Sequence, residues 1–129
     1  MIGVSNDLTK ASTIVMKYMQ KYGFKVYPVN PSAKGQKILG EEVFAKITDI
    51  KEQVDIVDVF RPSKEVLEIA KDTVNISAKV LWLQLGIRSK EAKKIVEENN
   101  IEYVEDKCTK MEYQKHFLKV RQAFPVLQG

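Results

Sequence analysis

A short loop near the start of the chain carries the side chains best suited to hold a phosphate group. Ser5, Asn6 and Thr9 offer hydroxyl and amide donors, and Lys10 adds a positive charge. The helix that begins at about Ser12 contributes free backbone N–H groups and a partial positive charge at its N-terminus. We therefore predict a phosphate cradle in this loop, although similar loops also occur in α/β proteins that bind nothing.

Two common nucleotide-binding signatures are absent from the same loop. A dinucleotide fingerprint requires Gly-x-Gly-x-x-Gly, whereas here Gly3 is followed by Ser5 and Lys10. Dinucleotide sites also place an acidic residue near the end of the second strand to hold the ribose, and here that place is taken by Asn30. The sequence therefore disfavours a nicotinamide dehydrogenase. The lack of a Gly-Lys-Ser/Thr phosphate loop disfavours an ATPase of that type.

Few other side chains could carry chemistry. Cys108 is the only cysteine, which excludes an intrachain disulfide or a cysteine-based zinc site and favours a reducing cytoplasm. His116 is the only histidine, which excludes a histidine-rich metal cage. Asp55 and Asp58 alternate with apolar residues but have no histidine or nucleophile beside them. We therefore expect them to serve a strand edge or a polar network rather than acid–base catalysis.

The elements that must position these residues alternate between apolar strands and amphipathic helices, about every 25 residues. Predicted strands end near Val4 and cover Lys25–Val29, Glu42–Ala45, Asp55–Phe60, Lys79–Gln84 and Ile101–Val104. Predicted helices cover about Ser12–Tyr22 and about Ser63–Val74, and two more begin at Ser89 and Thr109. The connections suit crossover helices, so the pattern predicts an α/β fold with a doubly wound, mainly parallel sheet.

Three details of the helices can be predicted from residue type. Ser63 is a suitable N-cap for the second helix. Thr109 and Glu112 fit a capping box, in which each side chain bonds the other residue's backbone N–H. Phe117 and Val120 are expected to contact the core from the last helix.

Length and charge set further limits. The 129 residues suit one domain, predicted over residues 1–124, with residues 125–129 as a frayed tail. The 21 basic and 17 acidic residues give a net charge of +4, which helps an anionic ligand. The basic residues are scattered rather than gathered in one stripe, so we expect no nucleic-acid partner. No apolar run approaches the roughly 20 residues that span a bilayer, so we expect no membrane partner, and the N-terminus lacks a signal-peptide pattern.

Four segments in the expected order carry a resemblance to a known family. They are Tyr27–Pro31, Asp58–Pro62, Trp82–Ile87 and Asp106–Tyr113. Together they resemble the small stand-alone CoA-binding proteins, whose fold is similar to that of the CoA-binding domain of the succinyl-CoA synthetase α subunit. The resemblance covers nearly the whole chain. It implies a Rossmann-like sheet of strand order 3-2-1-4-5-6 with helices on both faces.

The resemblance also implies where each strand lies. Glu42–Ala45 would be the outer strand three. Family members usually have several apolar residues before the glycine of the first loop, whereas only Met1 and Ile2 precede Gly3 here. We therefore expect a short first strand that loses its hydrogen bonds to both neighbours.

By the same resemblance, CoA or an acyl-CoA would lie between the strands that end at Val4 and at Phe60. One set of residues would serve its phosphates and adenosine. The pyrophosphate would face Gly3, Val4, Ser5 and the start of the Ser12 helix, the adenosine would lie near Asn30 and Pro31, and the 3′-phosphate would meet Lys34 or Lys37.

A second set would serve the rest of the coenzyme. The adenine or the pantetheine would be flanked by Phe60, Arg61 and Pro62, and the pantetheine path would be lined by Gln84, Gly86 and Ile87. Arg61 could clamp a phosphate with two parallel hydrogen bonds or form a surface ion pair, and these two roles are equally weighted. Lys10, Lys34 and Lys37 are each more often solvated than ligating on base rates.

These observations predict a small cytoplasmic protein that binds CoA or acyl-CoA and has no complete catalytic site. Two alternatives stay open: a detached subunit of a CoA ligase or transferase that needs a partner chain, and a redox or regulatory protein that pairs Cys108 with CoA. A third is an interaction module with an empty pocket. The sequence does not choose between a monomer and a homodimer.

Overall fold

The computed structural model describes residues 1–118 of the chain. The helices are α1 Ala11–Lys21, α2 Val66–Asn75, α3 Lys90–Glu98 and α4 Thr109–Phe117. The strands are β1 Lys37–Ile38, β2 Glu41–Glu42, β3 Ile56–Val59, β4 Val80–Leu83 and β5 Glu102–Val104. Three short 3₁₀ helices cover Pro31–Ala33, Ile47–Asp49 and Ser63–Glu65.

Parallel pairing runs from one edge of the sheet to the other. β3 pairs with β4 and β4 pairs with β5, all in parallel. Single parallel bridges then link Val59 to Ile2, Ile2 to Val29, and Val29 to Phe44. Taken across the sheet, this order is 3-2-1-4-5-6, so the predicted doubly wound topology is confirmed.

The first strand is short, but its hydrogen bonds are not lost. Ile2 donates its N–H to the Asp58 carbonyl at 2.7 Å and accepts from the Phe60 N–H at 2.9 Å. On the other side, the Gly3 N–H donates to the Val29 carbonyl at 2.8 Å. The expected loss was therefore wrong, because the backbone of the three residues Met1, Ile2 and Gly3 suffices to bond both neighbours.

Helices cover both faces of the sheet. Val57 and Val59 of β3 belong to a core that includes Val66 of α2 and Val96 of α3. A second, smaller core lies with α1 and gathers Val4, Met16, Val26, Ala33, Ile38 and Val43. Strand residues alternate between the faces, so Asp58 lies on the opposite side of β3 from its valine neighbours.

The outer part of the sheet differs from prediction. β1 and β2 form a small antiparallel hairpin that was not predicted and that ends at Glu42, the first residue of the predicted outer strand. Of the predicted segment Glu42–Ala45, Phe44 makes the parallel bridge to Val29. The only antiparallel pairing among residues 1–118 is therefore this hairpin at the rim.

The helix starts confirm one expectation and overturn two. Ser89 caps α3, since its hydroxyl accepts from the Ala92 N–H at 3.1 Å. Ser63 instead lies within a 3₁₀ helix and accepts from the Arg88 N–H. Thr109 does not form a capping box, because its hydroxyl donates to the buried Asp58 carboxyl at 3.1 Å.

Near its end, α4 also departs from prediction. The ring of Phe117 stacks on that of Tyr113 with 5.0 Å between centroids, yet the residue is 71% exposed. The expected core contact of Phe117 is therefore wrong. Val120 and the predicted tail 125–129 lie outside the described residues.

Candidate functional site at the carboxyl edge of the sheet

The first loop turns sharply at Gly3, which brings it against the end of β3. Gly3 has a φ of +90°, and a Cβ added there would lie 2.9 Å from both the Phe60 carbonyl oxygen and the Arg61 Cδ. Any side chain at this position would therefore collide with its neighbours as well as strain the backbone. The strand order reverses at this point, which is where open α/β sheets bind ligands.

Beyond Gly3, hydrogen bonds fix the path of the loop into α1. The Ser5 N–H donates to the Ser12 hydroxyl at 3.2 Å, and the Thr13 hydroxyl donates to the Ser5 carbonyl at 2.6 Å. Asp7 accepts from the N–H and the hydroxyl of Thr9 at 2.9 and 2.7 Å. These bonds, led by that of the Thr9 hydroxyl, lower the pKa of Asp7 below its ordinary value.

The N-terminus of α1 receives no side-chain cap from Lys10, the residue that precedes it. The first N–H groups of a helix need a partner from outside the helix. Ser12 is buried beside this end, whereas Ser5 is half-buried and Lys10 is exposed. The structure therefore brings together the loop, the open helix end and a lysine, which are the parts of the predicted phosphate cradle; phosphate binding there stays a prediction.

Asn30 ties the second loop to the first. Its side-chain NH₂ donates to the Val4 carbonyl at 2.9 Å, and its side-chain oxygen accepts from the Ser32 N–H at 3.0 Å. Pro31 begins the following 3₁₀ helix, and Lys34 follows that helix in an exposed position. Asn30 thus holds the second loop against the first, with both polar atoms of its side chain already bonded.

Arg61 forms a surface ion pair, which is one of the two roles predicted for it. Its Nε and Nη2 atoms donate to the Glu65 carboxylate at 3.0 and 2.7 Å. The hydrogen bond from Arg61 lowers the pKa of Glu65 and, reciprocally, raises that of the guanidinium. Phe60 is half-buried beside Gly3, and Pro62 is exposed at the turn into the next helix.

The predicted residues after β4 divide into two kinds. Gln84 is buried, and its side-chain NH₂ donates to Asp58 at 2.6 Å and to the Thr109 hydroxyl at 3.0 Å. Gly86 is exposed and Ile87 is half-buried. Both belong to a turn in which the Ile87 N–H donates to the Gln84 carbonyl at 3.0 Å. Of these three residues, only Gly86 and Ile87 present surface at this edge.

The buried network around Asp58 is structural, as expected for this aspartate. Burial raises its pKa from 3.8 to about 6, and the bonds from Gln84 and Thr109 together with the charge of the Met1 amino group oppose that rise. The amino group itself donates to the Tyr27 carbonyl at 2.9 Å. No group of three His, Cys, Asp or Glu side chains among the described residues could hold a metal ion.

Sequence reasoning assigned no role to one set of side chains at this edge. Arg88, Glu105 and Asp106 form ion pairs of 2.6 to 2.8 Å beside the turn that holds Gly86. Only their position just after β4 and β5 could have drawn attention to them. Cys108, which was singled out, is half-buried and immediately precedes α4.

A cavity of about 330 Å³ lies elsewhere, toward the opposite edge of the sheet. Its wall is mainly apolar and includes Met19, Val26 and Ile56, with Asp58 and Thr109 among its few polar residues. None of the fourteen residues predicted to bind the coenzyme lines it.

The strand order and the glycine turn at the switch point define the class of protein as a Rossmann-like α/β domain. The chain belongs to the CoA binding domain family, whose model matches residues 1–114. A protein of Bacillus subtilis, YneT, is 31% identical over 110 residues, covering 85% of this chain and 80% of that protein.

Solved structures show the same fold. A Thermus thermophilus protein has a TM-score of 0.87 and 35% identity, covering 90% of this chain and 87% of that one. A Pyrococcus horikoshii protein has a TM-score of 0.84 and 31% identity, covering 88% and 79%. An acetyl-coenzyme A synthetase of Ca. Korarchaeum cryptofilum has a TM-score of 0.65 and 24% identity, covering 79% of this chain and 24% of that one. Within residues 1–118, no helix is long and apolar enough to cross a membrane.

Proposed function

We propose that this protein binds CoA or an acyl-CoA across the carboxyl edge of its sheet, as a binding protein without a complete catalytic site. The observation that carries the proposal is the approach of Gly3 to Phe60 and Arg61 beside the uncapped start of α1. This arrangement leaves main-chain N–H groups open to a diphosphate at the switch point. Membership of the CoA binding domain family supports the choice of ligand.

The charges near the cradle favour the same ligand. Lys10, Lys34 and Lys37 are exposed and form no ion pair with another residue among 1–118. A 3′-phosphate and a pyrophosphate carry several negative charges, which such lysines attract most strongly at low salt. Lys34, which follows the 3₁₀ helix that Asn30 caps, is the residue that we assign to the 3′-phosphate.

The binding experiment is a calorimetric titration of the protein with CoA, acetyl-CoA, NAD and ATP. We expect CoA or acetyl-CoA to bind at one site per chain and the other two nucleotides to bind much more weakly. Tight NAD binding without CoA binding would falsify the proposal. A Gly3→Ala variant should bind CoA much more weakly than the wild type, which would support a site at the carboxyl edge.

One observation favours a second candidate, the detached subunit of a CoA ligase. The acetyl-coenzyme A synthetase named above shares the fold across only 24% of its own chain, so in that protein the fold is one part of a larger enzyme. Under this alternative, CoA-dependent activity should arise only after a nucleotide-binding partner chain is added. Titration with CoA alone would then still show binding, and only an activity assay with the partner separates the two functions.

A further inference from the structure

Three loops at the carboxyl edge are tied to one another through polar contacts of Arg88 and Asp106. The Arg88 N–H donates to the Ser63 hydroxyl at 3.0 Å, which links the turn after β4 to the one after β3. The Gly86 N–H donates to the Asp106 carboxylate at 2.7 Å, which links it to the turn after β5. The turn that contains Gly86 is therefore held from both sides.

Asp106 makes two bonds to this turn with its two carboxylate oxygens. Oδ1 accepts from the Gly86 N–H, and Oδ2 accepts from Arg88 Nη2 at 2.6 Å. The bond from Gly86, followed by the charge of Arg88, lowers the pKa of Asp106. The carboxylate is thus ionised at neutral pH and braces the turn at two points.

The backbone at both ends of this brace adopts the left-handed conformation. Gly86 has a φ of +80° and Asp106 a φ of +57°. A non-glycine residue in this region costs about 1–2 kcal/mol, although a short polar side chain such as Asp tolerates it better than most. A Cβ at Gly86 would meet nothing within 4 Å, so packing alone does not hold this exposed turn in place.

Arg88 is occupied by protein groups. Its Nη1 donates to Glu105 at 2.8 Å while its Nη2 donates to Asp106. Glu105 also accepts from the Tyr103 hydroxyl at 2.8 Å, and that hydroxyl accepts from the Ser89 N–H at 2.9 Å. These contacts use the guanidinium to hold the turn rather than leaving it free to meet a phosphate.

We propose that Asp106, together with Arg88, is a positioning residue that holds the Gly86 turn in the shape that receives the pantetheine arm. This inference rests on the proposed function, because it assigns a ligand part to that same site. It predicts that the brace affects the pantetheine end of the ligand and leaves the nucleotide end, bound at Gly3 and α1, unaffected.

The test compares two ligands on the wild-type protein and three variants. Adenosine 3′,5′-bisphosphate lacks the pantetheine arm, and CoA contains it. Asp106→Gly removes the carboxylate while tolerating the positive φ, and Asp106→Asn keeps an oxygen for the Gly86 N–H. Glu41→Gln is the matched control, since it weakens an exposed ion pair with Lys25, at 2.8 Å, away from this edge.

We expect Asp106→Gly to weaken CoA binding about tenfold, which is about 1.4 kcal/mol, and to change bisphosphate binding less than twofold. Asp106→Asn should recover part of the affinity, and the Gly86 amide proton resonance should shift upfield in Asp106→Gly. Glu41→Gln should bind both ligands normally.

Each other result overturns the inference. Unchanged CoA affinity in Asp106→Gly removes the positioning role alone and leaves the proposed function standing. An equal loss for both ligands means that the brace acts on the nucleotide end or on the whole fold. Wild-type protein that binds neither ligand overturns the proposed function and this inference with it.

Discussion

The two edges of the sheet are built differently, although the same strands form both. At the carboxyl edge, side chains such as Asn30, Ser12 and Asp106 bond the main chain of neighbouring loops. At the amino edge, the approximately 330 Å³ cavity is bounded mainly by apolar side chains. A polar ligand needs donors held in fixed directions. Cavity volume and ordered main-chain groups therefore point to different edges, and the proposed site follows the ordered main-chain groups at the carboxyl edge.

The largest effect that separates the edges should come from two glycines with the same backbone conformation. Gly3 and Gly23 have φ values of +90° and +92°, but a Cβ would collide only at Gly3. Gly3→Ala should weaken CoA binding about 100-fold, or about 2.7 kcal/mol. Gly23→Ala should cost only the backbone strain, about 1–2 kcal/mol of unfolding free energy. Titration and chemical denaturation measure the two effects, and equal CoA affinities would show that the edges do not differ in this way.

The next effect concerns stability near the amino-edge cavity. Burial raises the pKa of Asp58 from 3.8 to about 6, so the folded protein holds this proton more tightly than the unfolded chain. The resulting stabilisation is fully present below about pH 4 and is lost as the pH rises to about 6. Relative to Asp58→Asn, wild-type unfolding free energy should fall by about 2 kcal/mol across that window.

Denaturation curves from pH 4 to 6 check this difference. Burial lowers the pKa of the Met1 amino group from 8.0 to about 6. The effect of this group on the unfolding free energy therefore falls above the pH range from 4 to 6. CoA affinity at neutral pH should be the same in both proteins. A parallel pH dependence of wild type and variant would contradict the assigned role of Asp58.

A smaller effect should follow from Asn30, which joins the first two loops of the carboxyl edge. Asn30→Ala removes two hydrogen bonds that hold these loops together. Because only part of their stabilisation, about 1 kcal/mol each, is passed on to the ligand, CoA binding should weaken about tenfold, or about 1.4 kcal/mol. Asn99→Ala is the matched change elsewhere, since the Asn99 side chain donates to the Ile95 carbonyl at 2.8 Å. Asn99→Ala should leave the CoA affinity unchanged. A similar loss of CoA affinity in both variants would show that Asn30 has no special role at the carboxyl edge.

The smallest effect should come from Lys34. Lys34→Met should reduce the preference for CoA over dephospho-CoA about threefold, because an exposed charge interacts weakly and is screened by salt. Lys25→Met, at the amino edge and paired with Glu41, is the control. Calorimetric titrations at low and high salt measure this preference, and its persistence in Lys34→Met would assign the 3′-phosphate elsewhere.

Much of the fold follows from local patterns. The helix predicted at about Ser12–Tyr22 and the strand predicted at Asp55–Phe60 match α1 and β3 within two residues at each end. Helical periodicity and continuous apolar runs depend on neighbouring residues only. The family resemblance added the strand order, and the bridges of Ile2 confirm it. The identities of the ligand-contacting residues stay predictions.

Other features were settled by partners distant in sequence. Thr109 fits a local capping box, yet its hydroxyl bonds Asp58, which lies 51 residues earlier. Ser63 fits a helix cap, yet it accepts from Arg88 after the next strand. A buried carboxyl group must find donors, and only the packed sheet brings those donors within reach.

The sequence by itself determined the alternation of strands and helices, the polar loops that follow the strands and the family to which the chain belongs. Tertiary structure alone decided that Gly3 contacts Phe60, that Gln84 turns inward and that Asp106 braces Gly86. The physical reason is that periodicity is a property of adjacent residues. A hydrogen-bond partner is chosen by proximity in space, and that proximity exists only after the strands have paired.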